Sequence, residues 1–192
     1  MTKNQKFTLF QLGPVAIGQN RTKMKTTHHL ISKRFAYLVM LSIGMFPLVV
    51  VAQNAEIKKL AEFKKELVAS SDQILVFNFW ATWCAPCIAE LPEFEKVNRE
   101  DKSVKITLVS MDIDLNPDPQ NVYKFISRKQ IQSRVVILDA VDPNSWIDTI
   151  DKNWSGALPA TLIINTKTGV RRFVNQALKE GELEKLITEV KS

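Results

Sequence analysis

Seven consecutive residues, Ile74 to Trp80, read ILVFNFW, and the only two cysteines of the 192-residue chain follow directly, in WATWCAPC from Trp80 to Cys87. A strand with one wet face alternates apolar and polar residues. A nearly continuous apolar run instead needs cover on both faces, as in a parallel or mixed sheet. This stretch therefore commits the chain to a central sheet with a layer on each side, and puts both thiols where a buried strand ends.

The rest of the chain fits that frame. Ile57, Leu60, Ala61, Lys64, Leu67 and Val68 fall on one face of a helix expected from Ala55 to about Ala69. A helix is expected from Cys84 to about Arg99, a strand over Val104–Ile113, and a third strand over Arg134–Leu138. Asp118 and Pro119 supply an N-cap acid and a first-turn proline for a helix whose stripe is Val122, Phe125 and Ile126. A short polar segment with Trp146 and Trp154 leads to Thr161–Ile164 and Val170–Val174, a hairpin turning at Gly169. Leu183, Leu186, Ile187 and Val190 mark a last amphipathic helix. Strands alternating with helices and closing on a hairpin give an α/β fold: a mixed central sheet with helices on both faces.

The formal charge of +6 is unevenly spread. The first 52 residues hold seven cations and no acid, which leaves −1 for the remainder. A nearly neutral body gives no basis for nucleic-acid binding. The basic segment reads as a leader, residues 1–52. Lys33 and Arg34 flank an apolar run from Phe35 to Ala52, with Val50-Val51-Ala52 as a small-residue cleavage site. Met24 begins a normal positive n-region, so residues 1–23 are read as lying ahead of the working start. The run of about 18 residues also meets the lower limit for a bilayer span, so a signal peptide and an N-terminal membrane anchor over about 24–52 both stay open. Either way the domain, residues 53–192, is expected outside the cytoplasm, periplasmic or extracytoplasmic, where disulfides persist. Both histidines, His28 and His29, lie in the leader.

Two cysteines and no histidine exclude most chemistry for the body. Structural zinc needs four ligands, so no metal site is expected. A c-type haem site needs His after the second cysteine, where Ile88 stands. A cysteine hydrolase needs a histidine base. A purely structural disulfide closing so short a loop restrains the unfolded chain little. Redox chemistry fits better. A helix N-terminus carries partial positive charge and unpaired N–H groups, which stabilise a thiolate and lower its pKa. Cys84, at the helix start, is therefore the expected nucleophile. Cys87, a turn further in and more buried, is the expected resolving thiol, and the redox-active Cys84–Cys87 disulfide takes the place of a cofactor. Pro86 is tolerated in the first turn because its missing N–H would be unpaired anyway.

FNFWATWCAPC, with Pro92 five residues after Cys87 and Pro159 in GALPATLII, resembles the thioredoxin superfamily, and CIAELPEF resembles its exported TlpA/ResA-like branch. The resemblance covers about Ile57 to the C-terminus and implies the thioredoxin-like three-layer fold. It implies that Pro159 is a cis-proline lying against the cysteine pair, and that the Leu158 backbone pairs with a substrate strand. It gives Trp83 the role of shielding the nucleophile. It also makes Glu90, three residues from Cys87 and so on the same helix face, a carboxylate that exchanges protons with the thiols. Asn78 departs from thioredoxin itself, which carries a buried acid there; an amide carries no proton, so that burden falls on Glu90.

The resemblance implies a thiol–disulfide oxidoreductase that reduces protein disulfides, cytochrome c apoproteins among them, and draws electrons from a membrane thiol carrier. A monomer is expected. A net oxidase would use the same sulfurs, since only the reduction potential separates the two directions. A non-catalytic binding module with an inert disulfide would leave thiol reagents without effect at neutral pH.

Overall fold

The computed structural model describes residues 55–69, 71–114, 117–140 and 142–192. The elements run β1 (Ala55–Lys59), α1 (Leu60–Glu66), β2 (Ile74–Trp80), α2 (Ala85–Glu100), β3 (Val104–Ser110), α3 (Gln120–Lys129), β4 (Arg134–Asp139), α4 (Ile147–Ile150), β5 (Ala160–Asn165), β6 (Arg171–Val174) and α5 (Glu182–Lys191), with short 3-10 turns at Asp112–Asp114 and Pro143–Ser145. The leader expected over residues 1–52 lies outside the described residues. Among the described residues no helix is long and apolar enough to cross a membrane.

The six strands order as β1-β4-β3-β2-β5-β6. The first four pair in parallel; β5 runs antiparallel to β2, and β6 runs antiparallel to β5. This is the expected mixed sheet with helices on both faces. β2 is buried at every position. Its alternation assigns one set to each face. Ile74, Val76 and Trp80 pack with Leu91, Phe94 and Val97 of α2, Val122, Phe125 and Ile126 of α3, and Leu183, Ile187 and Val190 of α5. Leu75, Phe77 and Phe79 pack with Phe63 of α1, Ile147 and Ile150 of α4, and Trp146 and Trp154.

The first expected helix is corrected. Its opening residues, Ala55–Lys59, form edge strand β1, in parallel register from Ala55 opposite Val135 to Lys59 opposite Asp139. Helical spacing of Ile57, Leu60 and Ala61 gives way to a free sheet edge 80 residues away, which local propensity does not report. Arg134 on β4 secures the strand: its guanidinium binds both oxygens of Glu66 at 2.7 and 2.8 Å and Glu56 Oε1 through Nε at 2.9 Å. Of the expected apolar face, Ile57 and Val68 are exposed, and the buried anchor of α1 is Phe63. The strand expected over Val104–Ile113 also ends early, at Ser110, where the chain turns into Asp112–Asp114.

The start of α3 is shifted by one residue from the expectation: Pro119, not Asp118, is the N-cap, and Asp118 Oδ1, just ahead of it, accepts from Gln120 N–H at 2.9 Å. The hairpin matches the expectation. The hairpin closes with Asn165 N–H donating to Val170 O at 2.8 Å, and Gly169 supplies the left-handed turn residue at φ 76°.

Candidate active site

β2 ends at Trp80, and the next four residues, Ala81–Cys84, make a turn closed by Cys84 N–H donating to Ala81 O at 3.1 Å. Cys84 is the N-cap of α2 in extended conformation, and Pro86 occupies the first turn. Its sulfur stands where a capping oxygen normally would: Cys87 N–H donates to Cys84 Sγ at 3.3 Å. The two sulfurs form a disulfide with Cα atoms 5.3 Å apart. Cys84 is 5% exposed and Cys87 not at all, so of the two cysteines the one at the helix tip lies nearer the surface.

α2 buries Cys87, Glu90, Leu91, Phe94 and Val97, a stripe with helical spacing. Glu90 thus shares the inward face of Cys87 and is 2% exposed. Asn78, on the facing side of β2, donates through Nδ2 to Glu90 Oε1 at 2.8 Å and to Thr161 Oγ1 at 3.2 Å. Thr161 lies directly across the antiparallel ladder from Asn78. Leu178 N–H donates to Glu90 Oε2 at 2.7 Å. Burial raises the Glu90 pKa from its ordinary value, and the Leu178 and Asn78 hydrogen bonds pull it partly back. Asn78 and Glu90 are therefore one unit: the strand provides an amide donor and the helix provides the acid.

The Leu158–Pro159 peptide bond is cis, and Pro159 leads directly into β5. Trp154 Nε1 donates to Ala157 O at 2.9 Å, tying this loop to the aromatic cluster in which the Trp154 and Phe79 rings meet at a tilt, 4.6 Å between centroids. Gly156 in the same loop has φ 85°, and a Cβ there would meet Ile147 Cδ1 at 3.4 Å. Leu158 is half-buried and packs against both cores. Trp83 is 57% exposed, so its ring stands open to solvent beside the cysteine it precedes. Trp80 is fully buried, 5.1 Å from the Phe125 ring, and serves the core.

Reading the sequence does not single out Asp112 or Thr82. Asp112 follows the end of β3 and accepts hydrogen bonds from Thr82 in the Ala81–Cys84 turn. The partners are 30 residues apart, and an Asp after a strand carries no local signal of such a contact. No group of three or more His, Cys, Asp or Glu among the described residues could hold a metal ion.

Residues 54–127 match the Thioredoxin family model. The chain is 31% identical over 99 residues to a thioredoxin of Rickettsia felis, covering 48% of this chain and 92% of that one. The chain belongs to the thioredoxin family. It is also 33% identical over 67 residues to a thioredoxin of Mycobacterium tuberculosis, spanning 35% of this chain and only 56% of that relative. The thiol-disulfide oxidoreductase ResA of Halalkalibacterium halodurans is 25% identical over 114 residues, 59% of this chain and 60% of that one. Among solved structures, a thioredoxin-related protein from Neisseria meningitidis serogroup B superposes with a TM-score of 0.54 at 23% identity, over 64% of this chain and 88% of its own. That last likeness speaks for the fold. Thioredoxin-family proteins work through a cysteine pair, and the pair here sits at the strand-to-helix junction described above.

Proposed function

We propose that this chain is an extracytoplasmic thiol–disulfide oxidoreductase that reduces disulfides in protein substrates. The observation that carries the reading is the Cys87 N–H directed at Cys84 Sγ at the tip of α2. In the reduced protein that amide and its neighbours stabilise a Cys84 thiolate. The thiolate attacks one sulfur of a substrate disulfide, and the other substrate sulfur leaves as a thiolate that takes up a proton. Cys87 then attacks Cys84 Sγ, the mixed disulfide breaks, and the second substrate thiol leaves. Two electrons pass to the substrate, and the protein keeps the Cys84–Cys87 disulfide. Glu90, whose pKa burial raises above that of a free carboxylate, accepts the Cys87 proton in its ionised form as that thiol becomes a nucleophile.

A second dithiol must then restore the pair. The resemblance to the ResA branch supports a membrane thiol carrier as electron donor and cytochrome c apoproteins among the substrates. Residues 1–52 act as the export leader of the domain at 53–192, which works as a monomer. In this reading the half-buried Leu158 presents its backbone to a substrate strand, Pro159 keeps the loop beside the cysteines, and exposed Trp83 covers the approach to Cys84.

Full-length reduced protein should reduce a model peptide disulfide with turnover in the presence of a dithiol donor, and Cys84→Ser should bring the rate to background. Undiminished turnover in that variant would refute the assignment. The pair's equilibrium with glutathione separates a reductase from a disulfide donor, since family potentials run from about −270 mV to −120 mV.

A further inference from the structure

The turn from Ala81 to Cys84 belongs to no regular element, yet it sets where the Cys84 sulfur stands relative to the α2 amides. Of its central residues, Trp83 projects into solvent and Thr82 is held by Asp112. Thr82 N–H donates to both carboxylate oxygens, at 3.1 Å each, and its hydroxyl donates to Oδ1. Ser110 Oγ donates to Oδ2 at 2.8 Å, and Asp112 N–H donates back to Ser110 Oγ at 3.3 Å. Met111 N–H donates to Trp80 O at 2.9 Å, which carries the β2–β3 ladder up to the turn. Asp112 is 4% exposed and makes no ion pair among the described residues. A buried carboxylate without a cation is costly unless donors satisfy it. Here Thr82 and Ser110 are those donors, so the charge is compensated mainly by holding the turn. Charge-assisted hydrogen bonds are about twice as strong as neutral ones, and an apolar residue at this position would grip nothing.

We propose that Asp112 is a positioning residue for the redox centre: through Thr82 it fixes the Ala81–Cys84 turn, so that Cys84 Sγ stays aligned with the Cys87 amide. This rests on reading the cysteine pair as the reactive site. Loosening the turn lets the sulfur drift from the helix tip. The thiolate then loses its donor, and the reduced form loses stability relative to the disulfide.

The test uses the full-length chain in four forms: unsubstituted, Asp112→Asn, Thr82→Val and Thr82→Ser. Asn keeps the size but loses one acceptor and the charge; Val removes the hydroxyl donor; Ser retains both Thr82 contacts. Two quantities are measured on reduced protein: the pH profile of Cys84 alkylation by iodoacetamide, and the equilibrium of the pair with glutathione. Asp112→Asn should slow alkylation at pH 7 by about threefold or more and shift the glutathione equilibrium toward the protein disulfide by a similar factor. Thr82→Val should give a smaller change in the same direction, and Thr82→Ser should match the unsubstituted chain. The double variant Asp112→Asn/Thr82→Val should be no worse than Asp112→Asn, because the two act as one unit.

Unchanged profiles and equilibria in folded Asp112→Asn and Thr82→Val, even with lower melting temperatures, would reduce Asp112 to a structural role. If Asp112→Asn does not fold, Thr82→Val decides alone. Peptide-disulfide turnover by the unsubstituted chain is run in parallel. No turnover with shifted profiles overturns the functional reading and keeps the positioning role; turnover with unshifted profiles does the reverse.

Discussion

The two faces of the central sheet draw on the same strands and are built in opposite ways. On the α1–α4 side, Leu75, Phe77 and Phe79 meet Phe63, Trp146 and Trp154 in an aromatic core. On the α2–α5 side, the matching strand positions are Val76, Asn78 and Trp80, and across the ladder Thr161 and Ile163. Into this second face the fold admits an amide, a hydroxyl and the buried Glu90 carboxyl, all on the side of the sheet that carries Cys87. One face is packed almost wholly from apolar side chains. The other accepts the cost of burying an acid, and under the proposed function that acid serves the neighbouring cysteine pair. On that reading the fold divides stability and reactivity between the two sides of one sheet.

If that division holds, the largest loss of stability belongs to the aromatic face. Phe63 is the one buried residue within α1, with its ring edge-on to Phe77 at 5.5 Å and Phe79 at 6.0 Å. Phe63→Ala should cost about 3–5 kcal/mol, read from urea unfolding of the oxidised protein. In the folded, reduced variant the pH profile of Cys84 alkylation should stay where it was. A shifted profile would mean that the two faces are not independent.

The opposite substitution tests the reactive face. Burial raises the folded-state pKa of Glu90, so between the unfolded and folded values the native state binds more protons than the unfolded chain. Stability from this group is complete below the unfolded pKa, about 4.3, and is lost as pH rises through the folded value. Glu90→Gln removes the titration while keeping an acceptor for Leu178 N–H, and its new amide can donate to Asn78 Oδ1, which has no partner among the described residues. With the disulfide intact, so that no thiol titrates, the melting temperature of the variant should gain on that of the unsubstituted protein as pH rises from 4 to 8. A difference that stays constant across the range would show that burial does not raise the Glu90 pKa.

What the sequence discloses divides along another line: the distance between partners. The burial of β2 is legible because it is written in seven adjacent residues. The placement of Cys84 at a helix tip and of Glu90 a turn beyond Cys87 is legible for the same reason. β1 is not, because what makes it a strand is β4, which begins nearly 80 residues later; an edge strand with half its side chains in solvent carries too weak a period to compete with helical spacing. The Asn78–Glu90 pair is half-legible. Each residue stands out alone, Asn78 as a polar break in an apolar strand and Glu90 by its spacing, but only the packing of α2 on β2 joins them. Asp112 is silent for the same reason, its role depending on Thr82 across the β2–β3 connection.

The rim of the reactive face supplies a control for its buried acid. Asp101, which caps the end of α2, accepts from Lys191 of α5 at 2.8 Å and from Ser103. The Lys191 hydrogen bond, with Ser103 next, lowers its pKa to about 2. Its shift is opposite to that of Glu90, and so is the linkage: the stability is present above the unfolded pKa, about 3.9, and lost as pH falls through about 2. Both side chains of this pair are more than a third exposed, so solvent screens most of the interaction. Lys191→Met should therefore cost no more than about 0.5 kcal/mol at neutral pH, a loss that shrinks with added salt and fades below pH 3. A loss several times larger, or one indifferent to salt, would place Asp101 among the buried groups and erase the distinction between the buried acid of this face and a carboxylate that merely fastens two helix ends.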